Sequence, residues 1–164
     1  MEFPTRKTNR LKDFDYSSPG AYFITICTKD RKNIFWTTTE PCAFSEYELP
    51  LSEPGKIVES CIHEIPVRYP ALFVDKYTIM PNHIHLLLRI KSGANGRPLT
   101  APTIPNLVNQ FKGTVSKKIG FSPWQKGYHD HVVRNREDFE EIWTYIHNNS
   151  TQLMFHTFPF FRKD

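Results

Sequence analysis

Two histidines, His83 and His85, stand two residues apart at the head of the apolar run Met80-Pro81-Asn82-His83-Ile84-His85-Leu86-Leu87-Leu88. In an extended strand side chains alternate between faces, so the two imidazoles project from one face while Ile84, Leu86 and Leu88 project from the other. A same-face imidazole pair is half of a divalent-metal site, and it needs a third ligand and a group for the metal to act on. The bland alternative is two polar residues at a strand start. Near the C-terminus Phe139, Ile142, Trp143 and Ile146 recur at helical spacing, and Tyr145 and Asn149 fall together on one edge of that stripe. If this helix packs beside the sheet, Asn149 offers an oxygen as third ligand and Tyr145 sets a phenol next to the metal. The alternative is an amphipathic helix whose boundary tyrosine simply packs.

The elements that must position these groups read off in order. Ala21-Tyr22-Phe23-Ile24-Thr25-Ile26-Cys27-Thr28 follows the turn Ser17-Ser18-Pro19-Gly20 and is β-branched and aromatic, as a central strand should be. Residues 40–54, with three prolines, suit a small hairpin or irregular excursion. Ile57, Val58, Cys61, Ile62 and Ile65 then keep helical spacing until Pro66 stops them. Phe73 to Met80 reads as a strand, Pro81-Asn82 as a tight turn, and His83 to Ile90 as its antiparallel partner. Residues 91–103 read as a flexible loop. Ile104, Leu107, Val108, Phe111, Val115 and Ile119 form a second helical stripe that also carries Lys112, Lys117 and Lys118. Tyr128 to Arg134 is a strand, and Asn135, with Glu137 and Asp138 behind it, caps a last helix running to about Asn149. The order βαββαβ plus one helix predicts an α+β, ferredoxin-like split βαβ fold. Its antiparallel sheet carries helices on one face and leaves the other open, with an additional C-terminal helix that bears the tyrosine.

At 164 residues the chain fits one domain, residues 1–150, followed by a tail, 151–164. Residues 1–14 are a basic arm, whose first twelve residues set Arg6, Lys7, Arg10 and Lys12 against Glu2 with no amphipathic period; it is either a solvated tail or an arm that orders on phosphates. The net charge of +4 permits a polyanionic partner without requiring one. Cys27, Cys42 and Cys61 include no CxxC pair, which argues for isolated thiols in a reducing compartment. With a polar, basic start and no long apolar stretch, the protein is expected to be cytoplasmic, with no membrane partner.

The motifs taken together resemble a known family. Pro81-Asn82-His83-Ile84-His85 is similar to the histidine–hydrophobe–histidine motif of the HUH single-strand DNA nucleases, and especially of the REP-associated tyrosine transposases, relatives of the single-tyrosine insertion-sequence transposases. Asp15-Tyr16 through Thr25 looks like that family's first strand, and Phe111-Lys112 through Lys117-Lys118 its basic helix. Trp124 through Arg134 and Tyr145-Ile146-His147-Asn148-Asn149 resemble its C-terminal signature. The resemblance implies that His83, His85 and Asn149 hold Mg²⁺ or Mn²⁺ and that Tyr145 attacks a DNA phosphodiester, leaving a reversible 5′-phosphotyrosine link. It further implies single-stranded DNA with a hairpin, a REP-like palindrome, as substrate. A monomer is the favoured state and a homodimer the alternative. Arg6, Lys7, Arg10, Lys112, Lys117, Lys118 and Arg134 are the candidate DNA contacts.

The second HxH pair, His129 and His131, lies outside the family's metal motif and reads as structural or DNA-contacting, with a ligand role as the minor alternative. Trp124 reads as a core residue before a base-stacking one. Two departures stand out: Ser150 follows the final asparagine where many relatives have proline, and the tail carries Phe155, Phe158, Phe160 and Phe161. Two other functions are compatible with the same fold. One is a non-catalytic nucleic-acid-binding module; the other is a metal-dependent phosphodiesterase in which water attacks.

Overall fold

The structure is a computed structural model that describes residues 11–38, 49–93 and 101–152, with side chains as far as Asn149. Arg6, Lys7 and Arg10 of the basic arm, Cys42, most of the 40–54 excursion, residues 94–100 of the loop and the phenylalanines of the tail lie outside the described residues.

The described residues form four strands and three α-helices, in the order the hydrophobic periodicities require. They are β1 (Gly20–Cys27), α1 (Glu53–Arg68), β2 (Leu72–Met80), β3 (His83–Ile90), α2 (Ile104–Ile119), β4 (His129–Val132) and α3 (Arg136–Gln152), with a 3₁₀ turn at Lys29–Arg31. The sheet order is β2-β3-β1-β4 and every neighbouring pair is antiparallel. This is the expected split βαβ plan, an α+β fold with β3 inserted between β1 and β2.

The helices start where the capping residues sit. Ser52 accepts from the Gly55 N–H and Thr103 from the Asn106 N–H, while Asn135 Oδ1 accepts from the Asp138 N–H at 2.8 Å. Helix α1 runs two residues past Pro66. A proline that close to the C-terminus gives up one intrahelical bond but keeps a helical φ, and the Tyr69 N–H still closes the last turn on the Ile65 carbonyl. Strand β4 is shorter than the sequence suggests, since it pairs only with Tyr22 to Thr25 of β1, at the sheet edge.

The apolar side chains separate into two layers. Ile24, Ile26, Ile84, Leu86, Leu88 and Ile90 meet Val58, Ile62 and Ile65 of α1 and Leu107, Val108, Phe111 and Val115 of α2 in the main core. On the opposite face Phe23 and Leu87 meet Ile142, Tyr145 and Ile146 of α3. The expectation of an open second face is therefore corrected: α3 folds back and covers its middle. The reason lies in the sequence of β1 and β3, which put Phe23 and Leu87 on that face and leave apolar area that a helix must bury.

Helix α3 also sits differently on its axis than the stripe predicts. Ile142, Tyr145, Ile146 and Asn149 are all buried, so the buried face is centred near Ile142 and Asn149 and runs from Tyr145 at one border to Ile146 at the other. Trp143 lies about a third of a turn away and is 39% exposed, outside the stripe to which its size assigns it. A β-bulge between Val74 and Lys76 shifts the register of β2 by one residue, so that Val74 pairs with Leu88 but Lys76 with Leu87. Trp124 is buried in the main core, packed on Phe35 and Phe111, with its indole N–H donating to the Lys112 carbonyl. Among the described residues, no helix is long and apolar enough to cross a membrane.

Candidate metal and tyrosine site

The register of β1 against β3 pairs Thr25 with His85 and Cys27 with His83, and β2 pairs Thr78 with His85. The alternation therefore sets both imidazoles on the α3 face, with ring centroids 4.7 Å apart, while Ile84 and Leu86 enter the main core. Helix α3 lowers Tyr145 onto the pair. The His85 and Tyr145 ring centroids are 5.4 Å apart, and Phe23 packs against both, at 5.2 Å from His85 and 6.1 Å from Tyr145. His83, His85, Tyr145 and Asn149 are all buried, His85 completely.

Each imidazole is held through Nδ1. His83 Nδ1–H donates to Asn82 Oδ1 at 2.7 Å, and His85 Nδ1 bonds the Thr25 hydroxyl at 2.8 Å. With Nδ1 carrying the proton, Nε2 of each ring keeps a lone pair, the arrangement that orients a histidine ligand for a metal. Among the described residues, His85 Nε2 and Asn149 Oδ1 are buried without a hydrogen-bond partner. Buried polar atoms are rarely left so, because the desolvation is uncompensated. Two bare acceptors beside a tyrosine are accounted for if a cation joins them, and two imidazole nitrogens with an amide oxygen are a donor set that suits a divalent ion. The residues present thus fit a metal held by His83, His85 and Asn149.

The electrostatics agree with that use. Burial, with a smaller push from the Arg31 charge, lowers the His83 pKa to about 4, and burial beside His83 holds His85 well below the usual histidine range. Both rings are neutral near pH 7, which is the ligand form. Burial raises the Tyr145 phenol to about 12, against a lowering hydrogen bond from the Asn149 side chain.

The remaining candidates divide by what their side chains already do. Lys112 Nζ donates to the carbonyls of Gln125, at 2.8 Å, and Gly127, at 3.0 Å, stapling the segment before β4 to α2. Lys118 pairs with Glu64 at 2.6 Å. Lys117 is exposed and has no acidic partner among the described residues, and Arg134 is exposed at the entrance to α3. His129 and His131 stand opposite Thr25 and Phe23, on the same face as His85, and His131 Nε2 bonds Asp138 Oδ2 at 2.8 Å. Sequence reasoning missed Thr25 and Asn82 as partners of the histidines. Asn82 had a local signal, adjacency to His83; Thr25 had none.

No protein-family model matches the chain. An uncharacterized protein of Haemophilus influenzae is 31% identical over 163 residues, covering 88% of this chain and 87% of that one. A second Haemophilus influenzae protein, provisionally named a REP-associated tyrosine transposase, is 24% identical over 143 residues, 82% of this chain and 72% of its own. Among solved structures, a REP-associated tyrosine transposase bound to a REP hairpin superposes with a TM-score of 0.62 at 17% identity, over 90% of this chain and 74% of that one. A provisional transposase from Deinococcus radiodurans gives 0.50 at 16% identity, over 85% of this chain and 95% of its own. The chain belongs to one family with the Haemophilus influenzae protein it matches at 31% identity, and in sequence and fold it resembles the REP-associated tyrosine transposases.

Proposed function

We propose that the protein is a metal-dependent single-strand DNA endonuclease and transposase that cleaves and rejoins DNA beside a hairpin through a 5′-phosphotyrosine intermediate. The observation that carries this reading is the meeting of two buried, unpartnered acceptors, His85 Nε2 and Asn149 Oδ1, with the ring of Tyr145. The fold shared with a transposase bound to a REP hairpin supports a hairpin as the partner. Mg²⁺ or Mn²⁺ held by His83, His85 and Asn149 would supply Lewis acidity at a phosphate oxygen.

The chain's own residues do the rest. Asn82 and Thr25 fix the two imidazoles by their Nδ1 atoms. Burial keeps the Tyr145 phenol protonated until attack. In the transfer, Tyr145 Oη bonds to phosphorus and the P–O3′ bond breaks. The phenolic proton ends on the leaving 3′ oxygen. The ester bond is conserved rather than lost to water, so a 3′-hydroxyl can reverse the step and join strands.

The test incubates the protein with labelled hairpin-bearing single-stranded DNA and Mn²⁺. A covalent protein–DNA adduct that disappears in Tyr145→Phe is the expected result. An adduct persisting in Tyr145→Phe overturns the assignment of the nucleophile. Free cleaved ends without an adduct point to attack by water, and binding without cleavage to a non-catalytic module.

A further inference from the structure

The histidine face does not end at the metal pocket. Beyond Leu87, β3 presents Arg89, Lys91 follows just past the strand's end, and the β2 bulge brings Phe73 and Lys76 onto the same face as Arg89. Arg89 Cζ lies 4.7 Å and Lys91 Nζ 3.7 Å from the Phe73 ring centroid, so two cations share one aromatic ring. Closer to the pocket, Lys76 Nζ lies 5.0 Å from the centroid of the exposed Trp143 ring and donates to His147 Nδ1 at 3.4 Å. Asp75 takes Arg89 in a two-bond ion pair of 2.8 and 2.9 Å. Lys76 and Lys91 have no acidic partner among the described residues. Arg89 and Lys91 also line an open depression of about 470 Å³ at the start of β1.

Cations alternating with aromatic rings along one edge match a single-stranded nucleic acid, whose backbone takes the charges and whose bases stack on the rings. A solvated surface has no need to hold two cations against one phenylalanine. Held there, they meet a phosphate with part of their rotamer freedom already lost. The four residues from His85 to Arg89 place this cluster about 13 Å along the strand from the metal pocket.

We propose that the β2 edge of this face is a second nucleic-acid contact. A single strand leaving the metal pocket lays a base against Trp143 and its phosphates against Lys76, Arg89 and Lys91, with Phe73 keeping the last two in place. The inference rests on the proposed DNA-processing function only in taking a single strand as the ligand.

The test is binding without chemistry. Tyr145→Phe protein in EDTA is titrated with an oligothymidylate of about 12 nucleotides over a range of salt concentrations. The double variant Lys76→Ala/Lys91→Ala is compared with Lys56→Ala/Arg68→Ala, which removes two cations from α1 on the other side of the sheet. The track predicts that the first pair lowers the slope of log affinity against log salt by about 1.4, with affinity falling about tenfold at moderate salt. It also predicts that Trp143→Ala, in which no charge changes, weakens binding about tenfold with the slope intact. Equal effects of the two double variants, or no oligothymidylate binding at all, overturn the proposal. Because no cleavage is read, a failed adduct experiment with an intact slope difference would refute the enzymatic reading alone.

Discussion

The Thr25 hydroxyl lies 2.8 Å from Nδ1 of His85, a contact between residues sixty positions apart. It is made at the register pair where β1 meets β3, and it decides which imidazole nitrogen is left for a ligand. Thr25→Val keeps the shape and the β-branching but removes the bond. The expected outcome is a 10- to 100-fold loss of divalent-metal affinity, roughly the effect of losing an outer partner of a ligating histidine, together with a loss of stability of about 1–3 kcal/mol from the buried Nδ1 left unpaired. Isothermal titration with Mn²⁺ alongside thermal unfolding would check both parts.

The donor set makes a prediction about the ion itself. Two imidazole nitrogens favour a borderline metal over a hard one, and Mg²⁺ sheds its water reluctantly. Mn²⁺ should therefore half-saturate the site at lower concentration than Mg²⁺, and the ordering should vanish in His85→Ala. Equal affinities for the two ions would argue against imidazole ligation.

Asp138 ties β4 to α3, accepting from the His131 ring and from the Arg134 N–H at 3.0 Å. Burial alone would raise its pKa, but these bonds and the nearby charges outweigh it and hold the carboxyl below its ordinary value. A depressed folded-state pKa means the stabilisation is present above the unfolded-chain value, about 3.9, and is lost as pH falls through the folded-state value. The stability gap between wild type and Asp138→Asn should thus be steady from about pH 6 to 5 and close below about pH 4. Urea unfolding at stepped pH measures it; a gap that widens on acidification would contradict the sign.

Lys112 is bound by two carbonyls and is partly buried, so its replacement tests architecture more than charge. Lys112→Met should lower stability by about 1.5–3 kcal/mol, the usual range for hydrogen bonds to a charged group. It should leave the salt dependence of DNA binding nearly unchanged, whereas a phosphate-contacting lysine would shift that slope by about 0.7. Denaturant unfolding and a salt titration separate the two roles.

Much of this site can be read from local patterns. Strand alternation alone sets His83 and His85 on one face, and the i, i+4 spacing alone sets Tyr145 beside Asn149. What local patterns do not contain is pairing across distance. Thr25 meets His85 only once β1 and β3 are in register, and Phe23 with Leu87 draws α3 over the sheet only once both strands share a face. Trp143 misled for a related reason: size suggests burial, but the helix's rotation is fixed by Tyr145 and Asn149 turning inward.

The bulge at Asp75 has a consequence of its own. On one side of it, even-numbered residues of β2 (Leu72, Val74) feed the layer beneath α1 and α2; on the other side, even-numbered residues (Lys76, Thr78) serve the metal-bearing surface. That one extra residue works as a phase switch, allowing a single strand to keep two incompatible alternations. Straightening the bulge, with Asp75 taken into the ladder as an ordinary strand residue, would drive the Lys76 ammonium into hydrocarbon and turn the Tyr77 ring outward, whereas deleting Asp75 would leave both side chains on their present faces, so loss of this residue should be tolerated better than its regular pairing.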